Sequence, residues 1–108
     1  MSVDDLDRLI HEPARLRLVT LLYVVDEADF VFLADRTGLT AGNISSHMNK
    51  LEEAGYVEIT KAFVGKRPRT VYRLTTRGRE ALDRYRLTMD GMFAAMAAGE
   101  ADSPRQTS

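Results

Sequence analysis

In "FLADRTGLTAGNISSHMNKLEEAGYVEI" a helix stop and a helix start stand two positions apart, and nothing else in the chain restricts its fold as much. Gly38 suits the left-handed residue that closes a helix, and Thr40 carries the hydroxyl that caps the next one. The pattern predicts two helices across a tight turn. The second, from Thr40 to Glu53, places Ala41, Ile44, Met48 and Leu51 on one stripe and ends at Gly55. At about 100° per residue, its opposite face carries Gly42, Asn43, Ser46 and Lys50, with Ser45, His47 and Asn49 on the flanks. That outer face is small, polar and free of acid until Glu52.

The flanking segments fall into place around this pair. "FVFLADRTG" opens like a strand and continues as one or two helical turns. Upstream, about Ala14 to Val25 reads as a helix that is apolar on nearly all sides, which predicts a place at the centre of the core, with Pro13 in its first turn. "DEAD" breaks it. Leu6, Leu9 and Ile10 recur at helical spacing and predict a preceding helix that meets the next near Glu12. Downstream, "YVEITKAFV" alternates as a strand does, "GKRPR" reads as a turn, and "TVYRL" as the returning strand of a hairpin with a basic tip. Thr75 suits the N-cap of a final helix in which Leu82, Tyr85, Met89, Met92 and Met96 form a narrow seam, with Phe93 beside it, of the kind that packs on another helix. The fold class expected is mainly α with a small β-hairpin (α+β). Residues 1–98 form one domain with terminal dimerisation helices, and 99–108, lacking large apolar side chains, form a disordered tail.

A formal net charge of −1 taken alone argues against a polyanionic partner, but the charges are unevenly placed. From Met1 to Thr60 acids outnumber bases eleven to five; from Lys61 to Arg86 nine bases face only Glu80 and Asp83. A local patch of that density attracts phosphates over a Debye length of about 8 to 10 Å whatever the total.

Several classes drop out. Cysteine is absent, which removes disulfides, thiolate catalysis and thiolate zinc sites and fits a reducing compartment. With two histidines, no paired ligand spacing and no phosphate-cradling Gly-rich motif, no enzyme, metal or cofactor is expected. No apolar run approaches the roughly 18 to 20 residues of a membrane span, and the acidic start does not resemble a targeting signal, so a cytoplasmic location is expected.

The element order is that of a helix-turn-helix followed by a wing. A major groove about 12 Å wide admits one helix, and residues near its N-terminal end read the bases. On that reading Gly42 lets the backbone approach a phosphate, Asn43 offers a two-pronged amide to adenine, and Ser45, Ser46 and His47 bond to bases or phosphates. Lys50 lies where a cation holds the backbone. Gly65 and Pro68 shape a wing tip from which Lys66, Arg67 and Arg69 project, with Lys61 below.

Taken together, "IHEPARLRLVTLL", "FLADRTGLTAGNISSHMNKLEEAGYVEI" and "RPRTVYRLTTRGREAL" resemble the short bacterial and archaeal winged-helix transcriptional regulators related to the MarR and ArsR families, over nearly all of Leu9 to Leu87. The resemblance implies a winged helix-turn-helix fold and a homodimer bound to double-stranded DNA. It makes 40–53 the recognition helix, with Gly42, Asn43, Ser45, Ser46 and His47 near DNA and Thr40 and Lys50 counted in the same DNA-binding set, and puts the basic wing (61–73) on the backbone or minor groove. The cysteine-bearing helix of the metal-sensing ArsR branch has no counterpart. A dimer must hold two recognition helices about one DNA turn, roughly 34 Å, apart. The expected interface is Leu6, Leu9, Ile10, Leu82, Tyr85, Met89, Met92, Phe93 and Met96, and the expected outcome is repression by promoter occlusion. The competing reading is a protein-interaction module of the same fold without DNA binding, for which a cation-tipped hairpin has no use. No effector is indicated by any motif.

Overall fold

A computed structural model describes residues 6–99, so the expected tail, beyond Gly99, lies outside the described residues. The order is α1 (Pro13–Val25), β1 (Glu27–Asp29), α2 (Phe30–Thr37), α3 (Ala41–Glu53), β2 (Val57–Val64), β3 (Arg67–Leu74) and α4 (Thr76–Ala97). Three strands form an antiparallel sheet in the order β1-β3-β2. This is the winged-helix arrangement the sequence predicts.

The tight turn forms as its chemistry demands. Gly38 closes α2 at φ 71° and returns its N–H to Ala34, and the Thr40 hydroxyl accepts from the Asn43 amide at 3.2 Å to open α3. Buried Thr37 is fully used, donating to the Leu33 carbonyl at 2.7 Å and accepting from the Leu39 amide at 3.1 Å. Ile44, Met48 and Leu51 of α3 then pack with Leu18, Val19 and Leu22 of α1, Leu33 of α2 and Val57, Tyr72 and Leu74 of the sheet in one core. Ala41, expected on that stripe, is exposed.

Four expectations are corrected. The strand lies earlier than "FVF": Glu27–Asp29 pairs with β3, and Phe30 already begins α2, because the Asp29 carboxylate accepts from the Phe32 amide and caps the helix there. Helix α1 is buried on one side only, with Val24 75% exposed and Tyr23 and Val25 open to solvent. The wing turn is Gly65 and Lys66 alone, since Arg67 to Arg69 belong to β3.

Finally, Leu6 to Ile10 make turns, not a helix: Asp7 caps a single turn by accepting from the amides of Leu9 and Ile10, and Pro13, which disfavours helical backbone at Glu12, stops it from continuing. This segment is strapped down, Asp7 to the Tyr56 hydroxyl at 2.5 Å and His11 to the Tyr85 hydroxyl at 2.8 Å, and it buries Leu6 and Ile10 against Ala81 and Tyr85.

Helix α4 starts beneath the wing base, where only glycine fits. A β-carbon on Gly78 would overlap the Tyr56 carbonyl and lie 2.7 Å from Leu74 Cδ1. The obstruction is backbone, which cannot swing aside. We expect Gly78→Ala to cost about 2 to 3 kcal/mol in urea unfolding, the overpacking range, despite alanine's better helix propensity.

Candidate nucleic-acid interface

Burying Ile44, Met48 and Leu51 turns the other side of α3 outward. Thr40, Gly42, Asn43, Ser45, Ser46 and Lys50 are all exposed. The first turn holds no acidic residue, so the partial positive charge at the helix N-terminus is not neutralised by its own side chains. Above Gly42 there is open space where a side chain would project. The Thr40 hydroxyl spends its lone pair on the Asn43 amide and keeps its hydrogen for another acceptor.

His47 is the exception on this helix. Its side chain is only 19% exposed and turns toward the start of α1, where Nδ1 accepts from Arg15 Nη1 at 3.2 Å and lies 3.6 Å from a Glu12 carboxylate oxygen. Arg15 also donates from Nε to the Leu9 carbonyl at 2.6 Å, and Glu12 caps α1 by accepting from the Ala14 and Arg15 amides. The imidazole thus ties α3 to α1 instead of joining the outer polar face. Sequence spacing put it on the flank, but no sequence signal identified Glu12 and Arg15 as its partners.

The wing carries a different set. Lys61, Lys66 and Arg67 are exposed and form no ion pair among the described residues. Arg69 is exposed too, yet its Nε donates to the Asp29 carboxylate at 3.3 Å. Asp29 is therefore shared: one oxygen caps α2, the other holds the wing. This link was missed in the sequence because it depends on β1 lying beside β3, and "EAD" is too short to announce itself as a strand. At the wing base Arg73 pairs with Glu58 across the β2–β3 register.

Of the nine seam residues, Leu6, Ile10 and Tyr85 are buried by their own chain and Leu9, Leu82, Met89 and Met92 are half-covered. Phe93 (57%) and Met96 (67%) remain open. An apolar groove of about 400 Å³ lies between α1 and α4, lined by Leu16, Thr20, Tyr23, Val24, Leu82 and Met89 among others.

An outward small-polar helix followed by a cationic two-stranded wing defines a winged-helix nucleic-acid-binding protein. A family model described as a winged helix DNA-binding domain matches residues 14–93, and the chain belongs to that family, which binds DNA rather than catalysing a reaction. It is 33% identical over 78 residues to an uncharacterised protein of Methanocaldococcus jannaschii, covering 72% of this chain and 85% of that one. Among solved structures, a transcriptional regulator homologue from Pyrococcus horikoshii superposes with a TM-score of 0.78 at 29% identity, covering 83% of this chain and 89% of its own. A possible transcriptional regulator for arsenical resistance superposes at 0.58 with 28% identity, over 94% and 100% of the two chains. No helix among the described residues is long and apolar enough to cross a membrane.

The Glu12 cap has a pH signature. Burial pushes its carboxyl up, but the Arg15 and Ala14 amides, with the His47 and Arg15 side chains, outweigh that and hold the pKa below its ordinary value of 4.5. A depressed acid stabilises the fold above the unfolded-state value and loses that contribution as pH falls through the folded one. Glu12→Ala is expected to cost about 1 kcal/mol at neutral pH, the usual worth of a cap. In urea melts the gap from wild type should close as the pH drops below 4.5.

Proposed function

We propose that this protein is a homodimeric transcriptional repressor that lays α3 in the major groove and its wing along the adjoining backbone or minor groove. The observation that carries this reading is the pairing of an outward α3 face without acids in its first turn with the exposed cations of the wing. Asn43, Ser45 and Ser46 are the base-facing set, Gly42 lets the backbone approach a phosphate, and Thr40 and Lys50 hold phosphates. Lys61, Lys66, Arg67 and Arg69 supply the sequence-independent attraction. His47 acts behind the helix, fixing its seat on α1, so its loss acts through geometry and not through a missing base contact. The similarity to the Pyrococcus transcriptional regulator homologue and to the possible regulator for arsenical resistance supports a role in transcription. Arsenic sensing through thiolates does not carry over, because the chain has no cysteine.

Binding measured against a duplex chosen from a random pool separates the two sets of residues. Lys66→Ala and Arg67→Ala should weaken binding to every sequence and flatten the salt dependence by about 0.9 log units per decade of salt for each phosphate that the variant no longer neutralises. Asn43→Ala and Ser46→Ala should keep the salt slope and relax discrimination at particular base pairs by about 1 to 3 kcal/mol. Equal losses on all sequences from both sets would defeat this division.

The dimer face on this reading is narrower than the full seam. Val24, Leu87, Phe93 and Met96 are exposed, and the α1–α4 groove offers a receptacle for apolar side chains from a second α4. The helix runs 22 residues, about 33 Å, long enough to carry a partner contact beyond the body. Phe93→Glu with Met96→Glu should leave each domain folded by circular dichroism while light scattering at micromolar concentration falls from dimer to monomer. Affinity for a two-half-site duplex should fall with it. A wild-type monomer at that concentration would remove the dimer.

A further inference from the structure

The outer half of the wing carries an apolar pair that the basic-wing reading does not use. Side chains alternate along β2, so Lys61 and Phe63 follow Val57 and Ile59 on the face that enters the core. In β3, Thr70 and Pro68 continue the face of Leu74 and Tyr72 in the same way. Register sets Phe63 directly opposite Pro68, and Val64 opposite Arg67. Nothing among the described residues covers this overhang: every residue from Thr60 to Arg69 is exposed, Phe63 at 73% and Val64 at 62%. An uncovered aromatic on a protruding ribbon is a liability in a protein that does not use it, since such tips ordinarily carry polar side chains.

What fits over it must be anionic. No aspartate or glutamate occurs from Ile59 to Arg79; Lys61 shares the face of the apolar pair, Lys66 sits in the turn beyond it, and Arg67 and Arg69 alternate to the other face of the same slim ribbon. A second copy of the tip would bring the same cations together, which disfavours self-association there. Proline stiffens the strand opposite Phe63, because its ring fixes φ at that register position. Gly65, at φ 65°, lets the ribbon reverse over two residues and keeps the tip slim. Apolar side chains of this kind, phenylalanine and proline among them, enter the minor groove of DNA as wedges that part a base step while nearby cations grip the phosphates.

We propose that Phe63, backed by Pro68, is a minor-groove wedge that partly unstacks a base step and bends the duplex toward the major groove. The inference rests on the DNA-binding reading of the wing and adds a specificity that needs no base hydrogen bond. The wedge favours steps that open easily, the flexible TA and CA/TG steps, at the point where the wing lands. Phe63→Ala removes the wedge and leaves every cation in place, and because the side chain is exposed it should leave the melting temperature unchanged.

The test uses an end-labelled duplex recovered from a random pool by the wild-type protein, with energy transfer between the ends reporting bending and anisotropy reporting affinity. Wild type should bend the duplex. Phe63→Ala should bind it about tenfold more weakly, in the range that loss of one aromatic–base stack gives, without bending and with an unchanged salt slope. Replacing the TA or CA step under the wing by a stiff A-tract should weaken wild type and leave Phe63→Ala indifferent. Equal affinity and equal bending by the two proteins overturn the wedge, while continued weakening by Lys66→Ala and Arg67→Ala would leave the DNA-binding reading intact. Failure of wild type to bind any duplex overturns both. Loss of self-association, or of binding to anionic phosphatidylglycerol vesicles, in Phe63→Ala with DNA affinity untouched also overturns the wedge by assigning the tip another occupant.

Discussion

Ile44, Met48 and Leu51, all removed from water, hold α3 against α1 and the base of the sheet, and the outward polar face exists because of that contact. At about 1.5 to 3 kcal/mol for each fully buried side chain, an upper value for a chain whose unfolded state is partly compact, the stripe outweighs any single hydrogen bond in the interface. The polar face adds little stability of its own. Its residues are small and hydrated, and Gly42 inside a helix carries a cost of about 0.5 to 1 kcal/mol relative to alanine. Packing on one side therefore supports a surface whose composition is free to answer to a ligand.

Polar links then fix the orientation of the parts that hydrophobic contact leaves loose. Asp29 caps α2 with one oxygen and receives Arg69 with the other, so the first helix of the helix-turn-helix and the wing share a carboxylate. Glu12 and Arg15 join the start of α1 to His47 on α3, and Asp26, which ends α1, pairs with Arg79 on α4. Each pair lies at or near the surface, where an isolated ion pair contributes roughly 0 to 1 kcal/mol. Their consequence is geometric. A DNA-reading surface tolerates little slack between helix and wing, and these contacts restrict the slack without requiring a large core.

The elements legible in the sequence were those set by local chemistry. Gly38 and Thr40 announced the turn, the Ile44–Met48–Leu51 stripe announced which side of α3 is buried, and alternation from Tyr56 to Val64 announced the wing. The features that escaped depend on partners far along the chain. "EAD" becomes a strand because β3 presents an edge to it, and Leu6 to Ile10 stay as turns because Pro13 halts the turn that Asp7 caps. Helical spacing could not show that His47 would be drawn toward Glu12 and Arg15, 35 and 32 positions away. Nor could it show that Tyr85 and Ile10 would be used up inside one chain.

The charge distribution follows the same division between body and surface. Acids concentrated before Thr60 and bases after it leave the total near zero, which limits long-range attraction to arbitrary polyanions and leaves the positive potential to the wing and the first half of α4. Acids inside the body serve as caps and struts: Asp7, Glu12, Asp26 and Asp29 each bind a backbone amide, a cation or a hydroxyl. They neutralise Arg15, Arg69 and Arg79 in part and leave Lys61, Lys66 and Arg67 without a partner among the described residues. Lys50 on α3 and Arg77, Arg84 and Arg86 on α4 likewise form no ion pair among the described residues, so what distinguishes the wing trio is its place on the ribbon that extends beyond the core, where a phosphate can displace water without first breaking an ion pair.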